Sequence, residues 1–453
     1  MGIIGRVKDY YAKKRPLERG FHTCRGTLPD GGAYRMHLRV EGDGSGVLVI
    51  NAAKVLHLNQ TGVEYVKLMI DGKDDAGVAR AMASRYRVGR KRAEADFKEF
   101  KDKILCLTAS DDVCPVEALE FGRIEPFSMP VSAPYRMDLA ITHRCDLNCG
   151  HCYAGGPREM KEMDTAAWKQ VLDRLFAVGI PHVCFTGGEA TLRDDLPDLI
   201  AHAEDLGLVT GLLTNGCRLS DPDYLKRLIA EGLDHAQITI ESHDENVHNQ
   251  MVRAEGFERT VKGIENALAQ GLYTVTNTTI SRKNIAGLVD TVRFLHGLGV
   301  RRFAMNGVIH AGRGADNPDA VPAQEMEEAL ERVVEVANEL GMNFIWYTPT
   351  RYCELDPVEH GLGMKRCTAG HFNMCIEPDG SVLPCQSYFE SVGNILADDW
   401  DKIWTAPLLK DLRERGWVDE ECKSCDRLDL CGGGCPLEKD GKGVVCTESL
   451  SNF

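Results

Sequence analysis

Hydrophobic positions along the chain keep two different periods. Between residues 135 and 347, short apolar runs alternate with longer segments in which apolar residues recur every three or four positions. The short runs are YRMDLAIT, HVCFTGG, LVTGLLTNG, HAQITIE, YTVTNTTI and RRFAMNGVI, and they read as strands. The longer ones read as helices. In TAAWKQVLDRLFAVG, Trp168, Val171, Leu172, Leu175 and Phe176 share one stripe, with Asp164 or Thr165 as N-cap. Six strand–helix units joined by short Gly-ended turns predict an α/β fold with a parallel sheet. An open doubly wound sheet has the same period. A partial (β/α)6 barrel of the TIM type is expected, because the informative polar residues all fall at strand C-terminal ends, where barrel ligands collect.

The flanks are patterned differently. Within residues 1–108, a Gly-rich stretch from Leu28 to Asn59 alternates like short strands with tight turns. Behind it, Val63, Val66, Leu68 and Ile70, then Val78, Ala81 and Met82, then Phe97, Phe100 and Ile104 mark three buried helix faces. A small α+β domain follows from this, a strand pair and then three helices. Residues 109–134 hold four prolines and no clean period, and are expected to be a linker. The core is expected over 135–347. From 348 to 453 periodicity fades and Cys, Gly and Pro dominate, so that region is expected to be held by metal more than by an apolar core.

Composition narrows the function. A formal net charge of -15, with no long Lys/Arg run, argues against nucleic acid as the main partner. No stretch approaches the roughly 18 apolar residues of a membrane span. The opening MGIIGRVKDYYAKKRP has no signal-peptide core, so a cytoplasmic location is expected. Seventeen cysteines stand out in such a chain. Cytoplasmic thiols stay reduced, so clustered ones read as metal ligands before disulfides. Cys24, Cys106, Cys114, Cys184, Cys217 and Cys353 stand alone and read as small buried apolar residues.

The first cluster, RCDLNCGHCY, places Cys145, Cys149 and Cys152 directly after the first predicted core strand. Three thiolates on so short a loop can face one 4Fe–4S cubane and leave its fourth iron without a protein ligand. A zinc site completed by His143 or His151 is the alternative. Other polar residues end the following strands. FTGGEAT supplies Gly187, Gly188 and Glu189, where adjacent glycines admit a close backbone approach and the carboxylate suits an ammonium. LLTNG supplies Thr214 and Asn215, and QITIESHD supplies Thr239, Glu241 and Ser242, a set suited to a ribose.

C-x3-C-x2-C after one strand, GGE after the next and polar residues ending the fourth resemble the radical S-adenosylmethionine (radical SAM) superfamily. The resemblance implies that Cys145, Cys149 and Cys152 bind a cluster whose open iron is chelated by S-adenosylmethionine. One electron then cleaves the sulfonium, and the 5′-deoxyadenosyl radical takes a substrate hydrogen. It also implies that Gly187, Gly188 and Glu189 hold the methionine amino end, and that Thr239 with Glu241 meets the ribose. Many members carry an Arg four residues after the His that follows this strand. Here His248 is followed at that distance by Val252, with Arg253 next to it.

At the C-terminal end, Cys367 is followed by twelve residues, Gly380, four more and Cys385. Cys422, Cys425, Cys431 and Cys435 then stand as C-x2-C-x5-C-x3-C, and Cys446 closes the set. Two Cys pairs would make a zinc ribbon, but seven thiols exceed one tetrahedral site and approach what two cubanes need. The spacing resembles the SPASM extension of peptide- and protein-modifying radical SAM enzymes. The resemblance implies two auxiliary 4Fe–4S clusters, making three in all. Cys367, Cys385 and Cys435 would hold one, and Cys422, Cys425, Cys431 and Cys446 the other. Cys375 is the expected eighth ligand, Cys353 the runner-up, and an open iron a further possibility.

The N-terminal segment resembles the winged-helix-like, PqqD-type peptide chaperone of pyrroloquinoline quinone biosynthesis, the RiPP recognition element. Leu58-Asn59, Gly62, Asp71-Gly72, Arg85-Tyr86, Asp96 and Phe97 carry that likeness. It implies that a leader peptide adds as a strand to a sheet edge within about residues 33 to 58 and lies along the third helix. A domain that merely packs on the core is the other reading. Together the resemblances lead to an oxygen-sensitive enzyme that modifies a ribosomally made peptide and draws electrons from a low-potential donor such as ferredoxin or flavodoxin. A cofactor precursor or a side chain of a larger protein is the alternative substrate, and an iron–sulfur or zinc scaffold the non-enzyme alternative. Tyr153, His310, Arg313, Tyr347 and Cys353 read as rim or core packing near the barrel mouth.

Overall fold

A computed structural model describes residues 16–28, 33–86, 88–109, 130–156 and 160–438. Most of the expected linker, Cys114 and the expected ligand Cys446 lie outside the described residues. The chain divides into two compact units, Met1–Ser132 with Leu175–Pro181, and Ala133–Arg174 with His182–Phe453.

In the first unit, strands β1 (Gly20–Thr27), β2 (Ala33–Val40), β3 (Gly46–Ile50) and β4 (Lys54–Leu58) pair antiparallel in chain order. Helices α1 (Gln60–Ile70), α2 (Asp75–Arg85) and α3 (Arg90–Ala109) follow. Short polar side chains set the helix starts, since Asn59 Oδ1 accepts from Gly62 N–H and Asp74 Oδ1 from Gly77 N–H. Leu38, Leu48 and Ile50 from the sheet, Val63 and Val66 from α1, and Ile104 from α3 form one core. The three expected helices are present, but the sheet has four strands where a pair was expected. β1 was missed because GFHTCRGT has no apolar alternation. Backbone pairing to β2 and half-burial at the sheet edge hold it in place. At the other edge, β4 pairs with β3 alone among the described residues. Asn51 and Ala52 turn the chain between those two strands with positive φ of 51° and 55°.

In the second unit, a nine-stranded sheet runs β11-β10-β9-β8-β7-β6-β5-β12-β13. Its first strands are β5 (Arg136–Thr142), β6 (His182–Gly187), β7 (Val209–Thr214), β8 (His235–Thr239), β9 (Tyr273–Ile280) and β10 (Arg302–Gly307). These are the six expected strands, all parallel, with ends moved by a few residues. Helices α4 (Thr165–Val178), α5 (Leu196–Asp205), α6 (Pro222–Ala230), α7 (Glu245–Val252), α8 (Phe257–Ala269), α9 (Leu288–Leu298) and α10 (Ala323–Glu339) make the crossovers. Strand β11 (Asn343–Trp346) extends one edge in parallel. β11 and β13 do not pair among the described residues, so the sheet is not hydrogen-bonded into a closed barrel.

The other edge was not foreseen. Strand β12 (Asn373–Ile376) pairs parallel with β5, and β13 (Val382–Leu383) pairs antiparallel with β12. The cysteine-rich region therefore donates two strands to the core sheet, with Met374, Cys375 and Ile376 fully buried. A four-residue run gives too little period to be seen among glycines and prolines. No described helix is long and apolar enough to cross a membrane.

Candidate functional site

Parallel strands place the ends of β5 to β10 on one rim, and the three-cysteine loop leaves β5 there. The loop, with all three cysteines half-buried, is pinned from three sides. From α7, the Val252 and Met251 carbonyls accept Asn148 N–H at 3.0 Å and Gly150 N–H at 2.9 Å. From the segment after β10, Arg313 Nε donates to Cys149 O at 2.8 Å and Arg313 N–H to Cys152 O at 2.9 Å. From the β6 end, Gly188 N–H donates to Thr142 O and Glu189 N–H to Arg144 O, each at 2.8 Å. Arg313, read from the sequence as packing, thus acts as a clamp on the loop main chain.

The two glycines are explained by this third contact. Gly187 has φ +136°, and a Cβ there would sit 2.0 Å from Thr142 O. At Gly188 it would sit 2.3 Å from Arg144 O. Both are far inside van der Waals contact, so only glycine lets β6 close on the root of the cysteine loop.

Glu189 is fully buried and gathers the next strand end. Its Oε1 accepts from Thr191 N–H, Thr191 Oγ1 at 2.7 Å and Thr214 Oγ1 at 2.8 Å, while Oε2 accepts from Asn215 N–H at 2.7 Å. Burial pushes its pKa above the usual carboxylate range, and these donors pull the other way. Asn215 Nδ2 in turn donates to Asp146 Oδ1 at 2.7 Å, and Arg259 reaches Asp146 Oδ2 at 2.8 Å. Gly187, Gly188, Glu189, Thr214 and Asn215 are therefore brought together with the cysteine loop. Thr239 ends β8 half-buried on the same rim. Glu241, beyond it, is fully buried: Oε2 accepts Thr279 N–H at 2.8 Å and Oε1 pairs with His151 Nε2 at 2.9 Å. Burial works against charge on His151, and the Glu241 carboxylate outweighs it and raises the imidazole pKa.

Arg253 was visible in sequence only as a residue one position late. It caps α7 in the left-handed region, φ 54°, and its guanidinium nitrogen lies 3.1 Å from where a Gly150 Cβ would stand. Such a conformation costs a bulky residue about 1–3 kcal/mol, and outliers of this kind cluster at functional sites. Nothing in the amino-acid pattern announces a positive φ at an arginine.

The thiols themselves are suited to a metal cluster. Burial pushes the Cys145 thiol up to about 12 and the Cys149 thiol up as well, with Glu189, Glu241 and the neighbouring cysteines adding in the same direction. Left alone they stay protonated near neutral pH. Cys152 acts electrostatically on both, so the three thiols feel one another, and a cationic iron centre is the kind of partner that would offset three thiolates on one loop.

Among the C-terminal cysteines, Cys367, Cys385 and Cys435 lie within electrostatic reach of one another, burial lifting each thiol above its ordinary value. Cys375 is fully buried in β12, packs with Ala140 and Leu383, and feels Cys385. Cys422 and Cys425 share a turn, and Cys431 Sγ accepts Tyr352 N–H at 3.3 Å. That brings Cys353, which is exposed rather than buried, close to the second group. Tyr153 O–H donates to Gln386 Oε1 at 3.2 Å, tying the residue after Cys152 to the residue after Cys385.

Comparison with known proteins agrees with this geometry. Residues 139–295 match the model of the radical SAM superfamily, and residues 367–426 match that of an iron–sulfur cluster-binding domain, SPASM. A protein named PqqA peptide cyclase from Granulibacter bethesdensis is 31% identical over 67% of this chain and 83% of its own length. One of the same name from Bradyrhizobium diazoefficiens is 32% identical over 69% of this chain and 82% of its own. Among solved structures, Streptococcus suis SuiB bound to precursor peptide SuiA superposes with a TM-score of 0.68 at 16% identity, covering 94% of this chain and all of that one. The anSMEcpe structure with bound AdoMet and a peptide gives a TM-score of 0.53 at 18% identity over 67% of this chain and 89% of the other.

Two glycine substitutions test how the loop is anchored. Gly297 is exposed on α9 with nothing within 4 Å of its Cβ position, so Gly297→Ala is expected to raise the thermal midpoint, by about 0.5–1 kcal/mol of stability. Gly188→Ala drives a Cβ into backbone and is expected to lower it, by roughly 1–3 kcal/mol or more. Equal midpoints in the two variants would contradict the close approach.

Proposed function

The chain belongs to the radical SAM superfamily, and from that premise we propose that it modifies a ribosomally made peptide by hydrogen abstraction. The observation that carries the reading is the loop that presents three thiols from eight residues while its main chain is bonded on every side. Cys145, Cys149 and Cys152 hold a 4Fe–4S cluster and leave its fourth iron to S-adenosylmethionine. When bound, that pair supplies the 5′-deoxyadenosyl radical that takes the substrate hydrogen.

The chain's own residues bind and orient. The main chain at Gly187 and Gly188, backed by the buried Glu189, faces the methionine amino end, and Arg253 stands for the arginine absent at position 252 and pairs with the carboxylate. Thr214 and Asn215 lock Glu189 in place. Thr239 meets the ribose. Glu241, whose carboxylate already serves Thr279 and His151, holds the end of β8 against the cysteine loop rather than reaching the ribose with that group.

Cys367, Cys385 and Cys435 hold one auxiliary cluster with Cys375 as fourth ligand. Cys422, Cys425, Cys431 and Cys446 hold the other. Together these residues would hold three clusters, and the chemistry such clusters would supply is electron transfer from a low-potential donor of the ferredoxin or flavodoxin class. A peptide substrate is supported by the relatives named PqqA peptide cyclase and by the likeness to SuiB. In the first unit, the open edge of β4 lies beside α3, where Lys54 Nζ donates to Leu107 O at 2.7 Å. It is the place where a leader segment would add as a strand.

Anaerobic reconstitution is expected to give about 12 iron per chain, and about 8 when Cys145, Cys149 and Cys152 are all Ala. Undiminished iron in the triple variant would remove the cluster from that loop. Titration of the full chain with a short peptide encoded beside its gene, followed by tryptophan-independent calorimetry, is expected to show saturable binding. That binding should weaken when Val55, the second residue of β4 and paired with Val49 of β3, becomes Pro and disrupts the β4 edge. Undiminished binding in Val55→Pro would place the peptide elsewhere.

A further inference from the structure

Strand N-terminal ends, on the rim opposite the cysteine loop, carry a second set of metal donors. His182 opens β6, Cys184 lies two residues along the same strand, and His235 opens β8. Their ligand atoms all lie within 4.8 Å of one another. His182 Nε2 is 2.8 Å from His235 Nε2 and 3.2 Å from Cys184 Sγ. Cys184, read from the sequence as a small buried apolar residue, is indeed fully buried, but the His182 imidazole meets its sulfur and that of His235 lies within 4.8 Å.

Strand β7 runs between β6 and β8, and its residue at this level is Gly211, paired with Cys184 and His235. A Cβ on Gly211 would stand 2.4 Å from His235 Cε1 and 2.6 Å from Cys184 Sγ. The glycine therefore vacates the space in which the three side chains converge, and any larger residue would push them apart. Both histidines are half-buried while the sulfur is buried, which leaves the open side of the trio toward the imidazoles and solvent. The neighbouring cation, Arg136, is answered by Asp138 at 2.7 Å, so the added charge of a metal meets a locally neutral pair.

We propose that His182, Cys184 and His235 form a mononuclear zinc site that staples β6 to β8 across Gly211, with a water in the fourth position. Two imidazoles and one thiolate are a donor set zinc accepts, and the iron clusters draw on thiolates alone. Zn–N bonds of about 2.0–2.1 Å and a Zn–S bond of about 2.3 Å in a tetrahedron separate the donors by about 3.3–3.6 Å. The imidazoles reach that spacing by parting about 0.5 Å, within a side-chain adjustment. Binding releases the thiol proton to solvent, so the site gains one positive charge. The staple sits apart from the cysteine loop, at the opposite ends of the same strands.

The holoprotein with its iron clusters, exposed to one equivalent of zinc chloride and desalted, should be read at the zinc K edge, which is blind to iron. About one zinc per chain is expected, with two nitrogens near 2.0–2.1 Å and one sulfur near 2.3 Å in its shell. Cys184→Ser and His235→Gln should each lose most of that zinc while keeping the wild-type iron content, which reports that they fold. If a variant fails to fold, the wild-type shell alone decides. Zinc absent after desalting, a shell of sulfur only, or zinc retained equally by both folded variants would overturn the site.

Discussion

A loop of eight residues cannot by itself hold three half-buried cysteines in register, so the structure depends on main-chain hydrogen bonds brought to that loop from elsewhere. Met251 and Val252 supply carbonyls, Arg313 supplies a guanidinium and a backbone N–H, and Gly188 and Glu189 supply N–H groups. These are the interactions that decide where the sulfurs sit. Each is worth about 1 kcal/mol net, more for the charged donor, yet together they fix a geometry that no loop propensity would give. Gly187 and Gly188 matter for the same reason, since their missing side chains allow β6 to reach the loop root.

Electrostatics then separates the roles of the acids on this rim. Glu189 and Glu241 are both fully buried; Glu189 accepts four hydrogen bonds from Thr191, Thr214 and Asn215, and Glu241 accepts Thr279 N–H with His151 beside its other oxygen. Neither is a loose surface group waiting for a ligand. They hold strand ends and the cysteine loop together as one frame. Arg253 is the contrasting element, a cation held over Gly150 by a strained backbone.

Much of this was legible beforehand, and the misses share a cause. The six parallel strands and the three N-terminal helices follow from period, and the clustered cysteines from spacing. β1, β11, β12 and β13 are short or edge strands whose residues carry no alternation, so only pairing with a neighbour defines them. The strand-end residues share one rim because parallel topology gathers them. The parts that Arg313 and Arg253 play were not legible, because a main-chain clamp and a positive φ are tertiary facts. Cys184 shows the limit most plainly: lone in sequence, it meets His182 and His235 only once β6 and β8 flank Gly211.

The central claim is that the three-cysteine loop generates a radical from S-adenosylmethionine. Anaerobic protein with reconstituted clusters, given dithionite and S-adenosylmethionine, should be assayed by chromatography for 5′-deoxyadenosine. The wild type is predicted to form it, and the Cys145, Cys149 and Cys152 to Ala variant to form none above the protein-free control. Formation by that variant at the wild-type rate would contradict the account.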